Sequence, residues 1–208
     1  TIYNGINTEI FKPIDEKINI GQLLYFGTII RKKGVLELAN IFNKVVEINK
    51  NASLLLIGKD VKDVLENKST LDLFFERLTK EAKLKVTHLH EVPYKKIKHY
   101  LAKAQVVVLP SFAEAFPMTW LETLAMEKAL VASNIGWATE LMKDGETGYL
   151  VNPTDHEAYS NKILTLLNDE EKNKRFGKNG RLHVISNFST AVVFEKNINL
   201  YKSLLPIK

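Results

Sequence analysis

Cysteine is absent from the 208 residues of this chain, which excludes disulfides, thiolate nucleophiles and cysteine-ligated metals; a cytoplasmic address is merely consistent with that absence. Proline and glycine are few, 6 and 10 residues, so a linker or disordered tail is excluded. No apolar run approaches the ~18 residues of a membrane span, and no basic-then-apolar leader opens the chain. The reading is therefore a soluble protein, and the initial Thr1 leads us to expect a segment of a longer one. Cationic residues exceed acidic ones only modestly, 29 to 24. The excess is spread over lysine-rich helix faces and forms no stripe beside aromatic platforms, which speaks against nucleic acid. The five histidines show no metal-ligand spacing, so no metal is expected. Nucleophile-elbow, Walker and Gly-x-Gly-x-x-Gly patterns are all missing.

What is present is a large apolar fraction, 45%, arranged as short runs alternating with amphipathic stretches. Strands are expected at 22–27, 53–58, 85–89, 106–109, 129–133 and 148–151. Helices are expected at 35–48, 71–83, 94–103, 117–126, 138–143, 156–167, 170–186 and 190–204. The alternation predicts an α/β fold, a Rossmann-like parallel sheet of about six strands flanked by helices. Residues 1–20 read as a lead-in loop outside the core, 21–188 as the domain, and 189–208 as a C-terminal helix. The lysine-rich stretch 59–68 reads as a turn or short helix.

The stretch running from Val106 through Pro110-Ser111 to Met126 joins a buried strand to a helix, placing its loop where open α/β sheets bind ligands. It carries Glu114 and Glu122. Such a pair could do acid/base work or accept hydrogen bonds from sugar or ribose hydroxyls; by spacing alone, a solvated loop carboxylate and a helix-surface carboxylate beside the N-terminal dipole are the better fit. Pro117 suits a first helical turn. The backbone N–H groups of Ala115, Phe116, Met118 and Thr119 are then free to face an anion, while the side chains of Phe116 and Trp120 read as packing. The loop Gly27–Gly34 carries Arg31, Lys32 and Lys33, of which Arg31 and Lys33 would suit a diphosphate; a solvated basic loop is the alternative.

Taken together, Asn4-Gly5, Arg31-Lys-Lys-Gly34, Pro110-Ser111 with Glu114 and Glu122, Ile135-Gly136 through Glu140, and Asp144-Gly-Glu-Thr-Gly-Tyr-Leu-Val151 resemble the C-terminal half of GT-B glycosyltransferases of the group 1, or GT4-like, retaining family. The resemblance covers nearly the whole chain. It implies one of two facing Rossmann-like domains, the one that holds a UDP- or GDP-sugar donor, with the N-terminal acceptor domain outside this chain. It further implies that Glu114 contacts the donor sugar and acts with Lys33 in catalysis. Glu122 would accept the ribose hydroxyls, and Arg31 and Lys33 would bind the diphosphate. The residues around Val92 would line the nucleobase pocket, and the backbone of Ala115, Phe116 and Met118 with Thr119 would hold sugar and phosphate.

By the same resemblance the enzyme is metal-independent and needs no cofactor. It transfers a sugar to a polysaccharide or glycolipid acceptor, with this segment inactive alone, and works in the cytoplasm, where peripheral association of the longer enzyme with the inner membrane face is compatible. A non-catalytic nucleotide-sugar-binding module and a GT-B epimerase or phosphorylase share these features. Several positions depart from the family pattern: Thr28 stands for an Arg, Glu114-Ala-Phe-Pro117 for Glu-Gly-Phe-Gly, Lys128-Ala-Leu130 for Gly-x-Pro, His90 for a Gly, and Trp137 for the second Gly of a pair.

Overall fold

The computed structural model describes residues 2–136 and 138–204; the expectation for Trp137 falls outside the described residues. Continuous apolar runs build a sheet of six parallel strands: β1 (Gln22–Phe26), β2 (Ser53–Ile57), β3 (Val86–Leu89), β4 (Val106–Leu109), β5 (Ala129–Ser133) and β6 (Tyr149–Val151). Their spatial order is β3-β2-β1-β4-β5-β6, the doubly wound order in which chain direction across the sheet reverses between β1 and β4. All residues of β4 and β5 are buried, because helices flank the sheet and an inner parallel strand meets no solvent.

The helices are α1 (Val35–Ile48), α2 (Thr70–Arg77), α3 (Lys80–Lys83), α4 (Ile97–Lys103), α5 (Met118–Ala125), α6 (Ala138–Leu141), α7 (His156–Asn168), α8 (Glu170–Phe188) and α9 (Thr190–Leu204). α1 packs against α2 and α7, and α5 against α8. Asp155 caps α7 through Ala158 N–H.

Two expectations are corrected, and a third is narrowed to one of its alternatives. The single helix over 71–83 is two, because Leu78 and Thr79 are extended and the Thr79 side chain caps α3. Asn43 of α1 enforces the break, accepting from Thr79 N–H and donating to the Arg77 carbonyl. The stretch 59–68, for which a turn or a short helix was expected, holds a turn at 64–66 and no helix. It is a loop organised on buried Asp63, whose carboxylate accepts from the N–H groups of Leu65 and Glu66. The lead-in is irregular but not outside the core, since Ile6 and Phe11 are both buried. Ile6 bridges to Ser189 in parallel and bonds through its backbone to Phe188 and Thr190, so the first residues are tied to the junction of α8 and α9.

Candidate functional site

Three loops leave the carboxyl ends of β1, β2 and β3 beside α5, and between them lies a cavity of about 330 Å³. Phe26, Gly27 and Thr28 contribute from β1, Gly58 and Lys59 from β2, His90, Glu91 and Val92 from β3, and Thr119 and Glu122 from α5. The β1 and β2 loops are laced together: Gly27 N–H donates to the Ile57 carbonyl, Ile29 N–H to Lys59, and Val61 N–H to Ile29. A side chain at Gly58 would run into the Gly27 carbonyl, its Cβ falling 1.8 Å from that oxygen, so glycine is what lets these two backbones approach.

Glu122 is only 4% exposed. Tyr94 O–H donates to its Oε1 at 2.6 Å. Burial raises the Glu122 carboxyl above the usual range, while the bond from Tyr94 opposes that rise. Burial and the neighbouring carboxylate push the Tyr94 phenol well up, so it remains a donor.

A second cluster sits at the switch between β1 and β4. Lys33 ends the 3-10 turn 31–33 of the β1–α1 loop, and its ammonium donates to both oxygens of Glu114 in the β4–α5 loop, at 2.6 and 2.5 Å. Ser111 O–H donates to the same carboxylate at 2.8 Å, and Phe112 N–H bonds the Lys32 carbonyl across the two loops at 2.8 Å. Gly34 closes the β1 loop in the left-handed region, φ 69°, and an added Cβ would fall 1.8 Å from the Pro110 carbonyl oxygen. The α5 helix starts at Met118, so Pro117 is its N-cap with φ −79° and ψ 99° and not its first residue. No backbone donation from Ala115, Phe116, Met118 or Thr119 to another described group is present, as a helix start without a side-chain cap leaves them.

The structure thus brings Val92, Thr119 and Glu122 to one cavity and joins Lys33 to Glu114 beside it. It commits Arg31 elsewhere: Nε and Nη2 fork onto the two oxygens of Asp63 at 2.7 and 3.0 Å, and Nη2 also reaches Glu66 at 2.9 Å. Asp63 is 1% exposed and its carboxyl is lowered to about 2 by the guanidinium. Arg31 therefore holds the β2–α2 loop and lines a different cavity, with Lys32, Val64, Leu65 and Phe112. The Phe116 side chain turns away to stack on Tyr3 at 5.2 Å and to meet Phe188 at 6.1 Å, and Trp120 is fully buried; both pack, as expected. Tyr94 and Lys59 line the cavity without having been singled out in the sequence. Tyr94 directly follows Val92-Pro93, and that adjacency was the available signal. Among the described residues no group of three or more His, Cys, Asp or Glu could hold a metal ion, and no helix is long and apolar enough to cross a membrane.

Comparison with known proteins agrees with this fold. The family model for glycosyl transferases group 1 matches residues 7–183. The chain is 29% identical over 206 residues to the capsular polysaccharide biosynthesis glycosyltransferase CapM of Staphylococcus aureus, covering 97% of this chain and 50% of that protein. It is 29% identical to an alpha-maltose-1-phosphate synthase of Mycolicibacterium smegmatis, covering 98% and 56%. The chain thus spans about half the length of the curated relatives it matches. Among solved structures it superposes on a sucrose-phosphate synthase from Thermosynechococcus elongatus with TM-score 0.82 and 27% identity, over 98% of this chain and 52% of that one. Anabaena HepE in complex with UDP-glucose shares the fold with TM-score 0.79 and 22% identity, over 98% and 57%.

Proposed function

The chain belongs to the group 1 glycosyl transferases, and from that premise we propose that it is the donor-binding half of a retaining, metal-independent enzyme that moves a sugar from a UDP- or GDP-sugar to a polysaccharide or glycolipid acceptor. The observation that carries the reading is Glu122, a buried carboxylate set in the wall of a cavity at the carboxyl ends of β1–β3. A carboxylate there accepts two hydroxyls from the ribose of a nucleotide whose base lies beside Val92. The diphosphate then falls toward the start of α5, where unpaired N–H groups and the helix dipole favour an anion. Lys33 supplies the counter-charge that a metal would otherwise provide, and Glu114 accepts from hydroxyls of the sugar.

In the transfer itself, the bond from the sugar's anomeric carbon to the diphosphate oxygen breaks and the acceptor oxygen bonds to that carbon on the same face. The departing diphosphate takes the acceptor's proton. Lys33 and the α5 N-terminus stabilise the charge that develops on it, interactions stronger in the transition state than in the ground state. The acceptor belongs with the other half of the longer protein. The CapM relationship favours a polysaccharide acceptor, and the working site would be cytoplasmic, at the inner membrane face.

The test is a thermal-unfolding screen of this chain against UDP, GDP, ADP and their sugars, since a ligand bound only by the folded state raises Tm by mass action. UDP or GDP should raise it by several degrees at millimolar ligand. No shift with any nucleotide overturns the reading.

A further inference from the structure

Glu122 presents a problem that its own helix does not solve. A carboxylate this buried needs donors. Among the described residues no cation lies within ion-pair distance of it, and its one hydrogen bond comes from Tyr94, 28 residues away, to Oε1. The other ionisable groups that line the cavity, Lys59, His90 and Glu91, make no bond to it. Oε2 receives no donor from the described residues and belongs to a side chain that walls the cavity.

Tyr94 is itself held in place. It opens the 3-10 turn 94–96, pinned by Lys96 N–H on the Pro93 carbonyl at 2.7 Å. Its ring packs at 5.6 Å on Phe11 of the lead-in. Phe11 is buried, and its carbonyl accepts from Arg181 of α8 at 3.2 Å. Although Tyr94 is 62% exposed, its ring contact with Phe11 and its bond to Glu122 orient the phenol as a donor supplied from outside α5.

We propose that Tyr94 is the positioning residue for nucleoside recognition: its hydroxyl anchors one oxygen of Glu122 so that the other is presented, ionised and in a single rotamer, to the vicinal diol of a ribonucleotide. The proposal rests on the nucleotide-sugar reading above. Anchoring removes the rotamer freedom a lone glutamate would lose on binding. The same bond opposes the upward pull of burial on the carboxyl, favouring the charged form that accepts hydroxyl donors. Tyr94 touches Glu122 and need not touch the ligand's reacting atoms.

The experiment compares UDP with 2′,3′-dideoxy-UDP by calorimetry, on the wild-type chain and on Tyr94→Phe, from pH 5 to 8.5; GDP and its dideoxy analogue serve if the thermal screen favours guanine. The Phe ring keeps the packing on Phe11. The expected result is a five- to twentyfold loss of UDP affinity in Tyr94→Phe at pH 7.5, with little change for the dideoxy ligand. The acid limb of UDP binding should also move to higher pH, because Glu122 protonates sooner without its donor. Lys59, His90 and Glu91, the other charged or titratable residues that line the cavity, are present in both proteins, so the difference between the two profiles reports Glu122. An equal loss for both ligands makes Tyr94 a merely structural residue and overturns the proposal, as does unchanged affinity with an unchanged pH profile. Wild-type protein that binds neither UDP nor GDP overturns the nucleotide-sugar reading and this inference with it, whereas wild-type binding with an indifferent Tyr94→Phe overturns this inference alone.

Discussion

Lys33 Nζ lies within 2.6 Å of one carboxylate oxygen of Glu114 and 2.5 Å of the other, joining the β1–α1 and β4–α5 loops across the point where strand order reverses. Each of these residues has a proposed task toward the donor, and without the donor each is the other's partner. Donor binding then exchanges one charge-assisted set of contacts for another, and the pairing holds both side chains ordered in advance of it.

Lys33→Ala and Arg31→Ala should therefore behave differently although the residues are two apart. Removing Lys33 should weaken binding of the nucleoside diphosphate tenfold or more, about 1.5–3 kcal/mol for a bond to a charged group. Removing Arg31 should leave that affinity within about twofold, because its guanidinium is engaged by Asp63 and Glu66, and should instead lower Tm and speed proteolysis within 59–69. Calorimetry and limited proteolysis read the two effects; a tenfold affinity loss in Arg31→Ala would return it to the phosphate site.

Glu122→Gln should separate binding from stability. The folded-state carboxyl is raised by burial, so its contribution is favourable below the unfolded pKa and is lost as pH rises through the folded value; at neutral pH the buried charge is a cost. The amide removes that charge, and the unliganded protein should melt a few degrees higher at pH 7. It should also lose most of the thermal shift given by UDP or GDP. A lower Tm without ligand contradicts the burial argument.

Lys128 is 8% exposed, donates to the Ala102 carbonyl at 2.9 Å, and has its ammonium pushed down to about 8 by desolvation. A cation with a depressed folded pKa adds stability above its unfolded pKa, near 10.5, and loses it as pH falls through about 8. Lys128→Met should accordingly be stabilising at pH 7, by ~1–2 kcal/mol after the lost hydrogen bond is counted. Between pH 8 and 10.5 the stability of the wild type should rise relative to the variant. Urea unfolding across that range measures it, and parallel pH profiles would refute it.

Gly34→Ala should damage the fold and the site together. The position needs φ 69°, and the new Cβ would meet the Pro110 carbonyl, so the β1 and β4 loops must separate. A cost above ~2 kcal/mol is expected from strain plus the displaced backbone. It should appear in urea unfolding along with weakened nucleotide binding, because the shift moves Lys33 away from Glu114. Wild-type stability would mean the loops are more yielding than their packing implies.

The six strands and the order of strand and helix were legible in the sequence because buried parallel strands are continuous apolar runs and each is closed by turn residues such as Gly27, Gly58 and Pro110. Thr190–Leu204 and Ala129–Ser133 fall where periodicity put them. The helix over 71–83 did not survive, because Asn43 supplies backbone hydrogen bonds that compete at Thr79, and local pattern carries no trace of a partner in another helix. Phe11 gives the same lesson for the lead-in: a lone aromatic in a short irregular stretch shows no periodicity, yet it is buried.

By itself, then, the sequence determined the α/β class, the family resemblance and the loops in which the candidate binding residues stand, all properties of local pattern and order along the chain. Only the tertiary structure decided the partners. Arg31 found Asp63 across 32 residues, Lys33 found Glu114 across 81, and Tyr94 found Glu122 across 28. Cations as close in the chain as Arg31 and Lys33 carry almost the same information in sequence. Their fates diverge because a 3-10 turn aims one toward the β2 loop and the other toward β4, and electrostatics acts on distance in space, not on position in the chain.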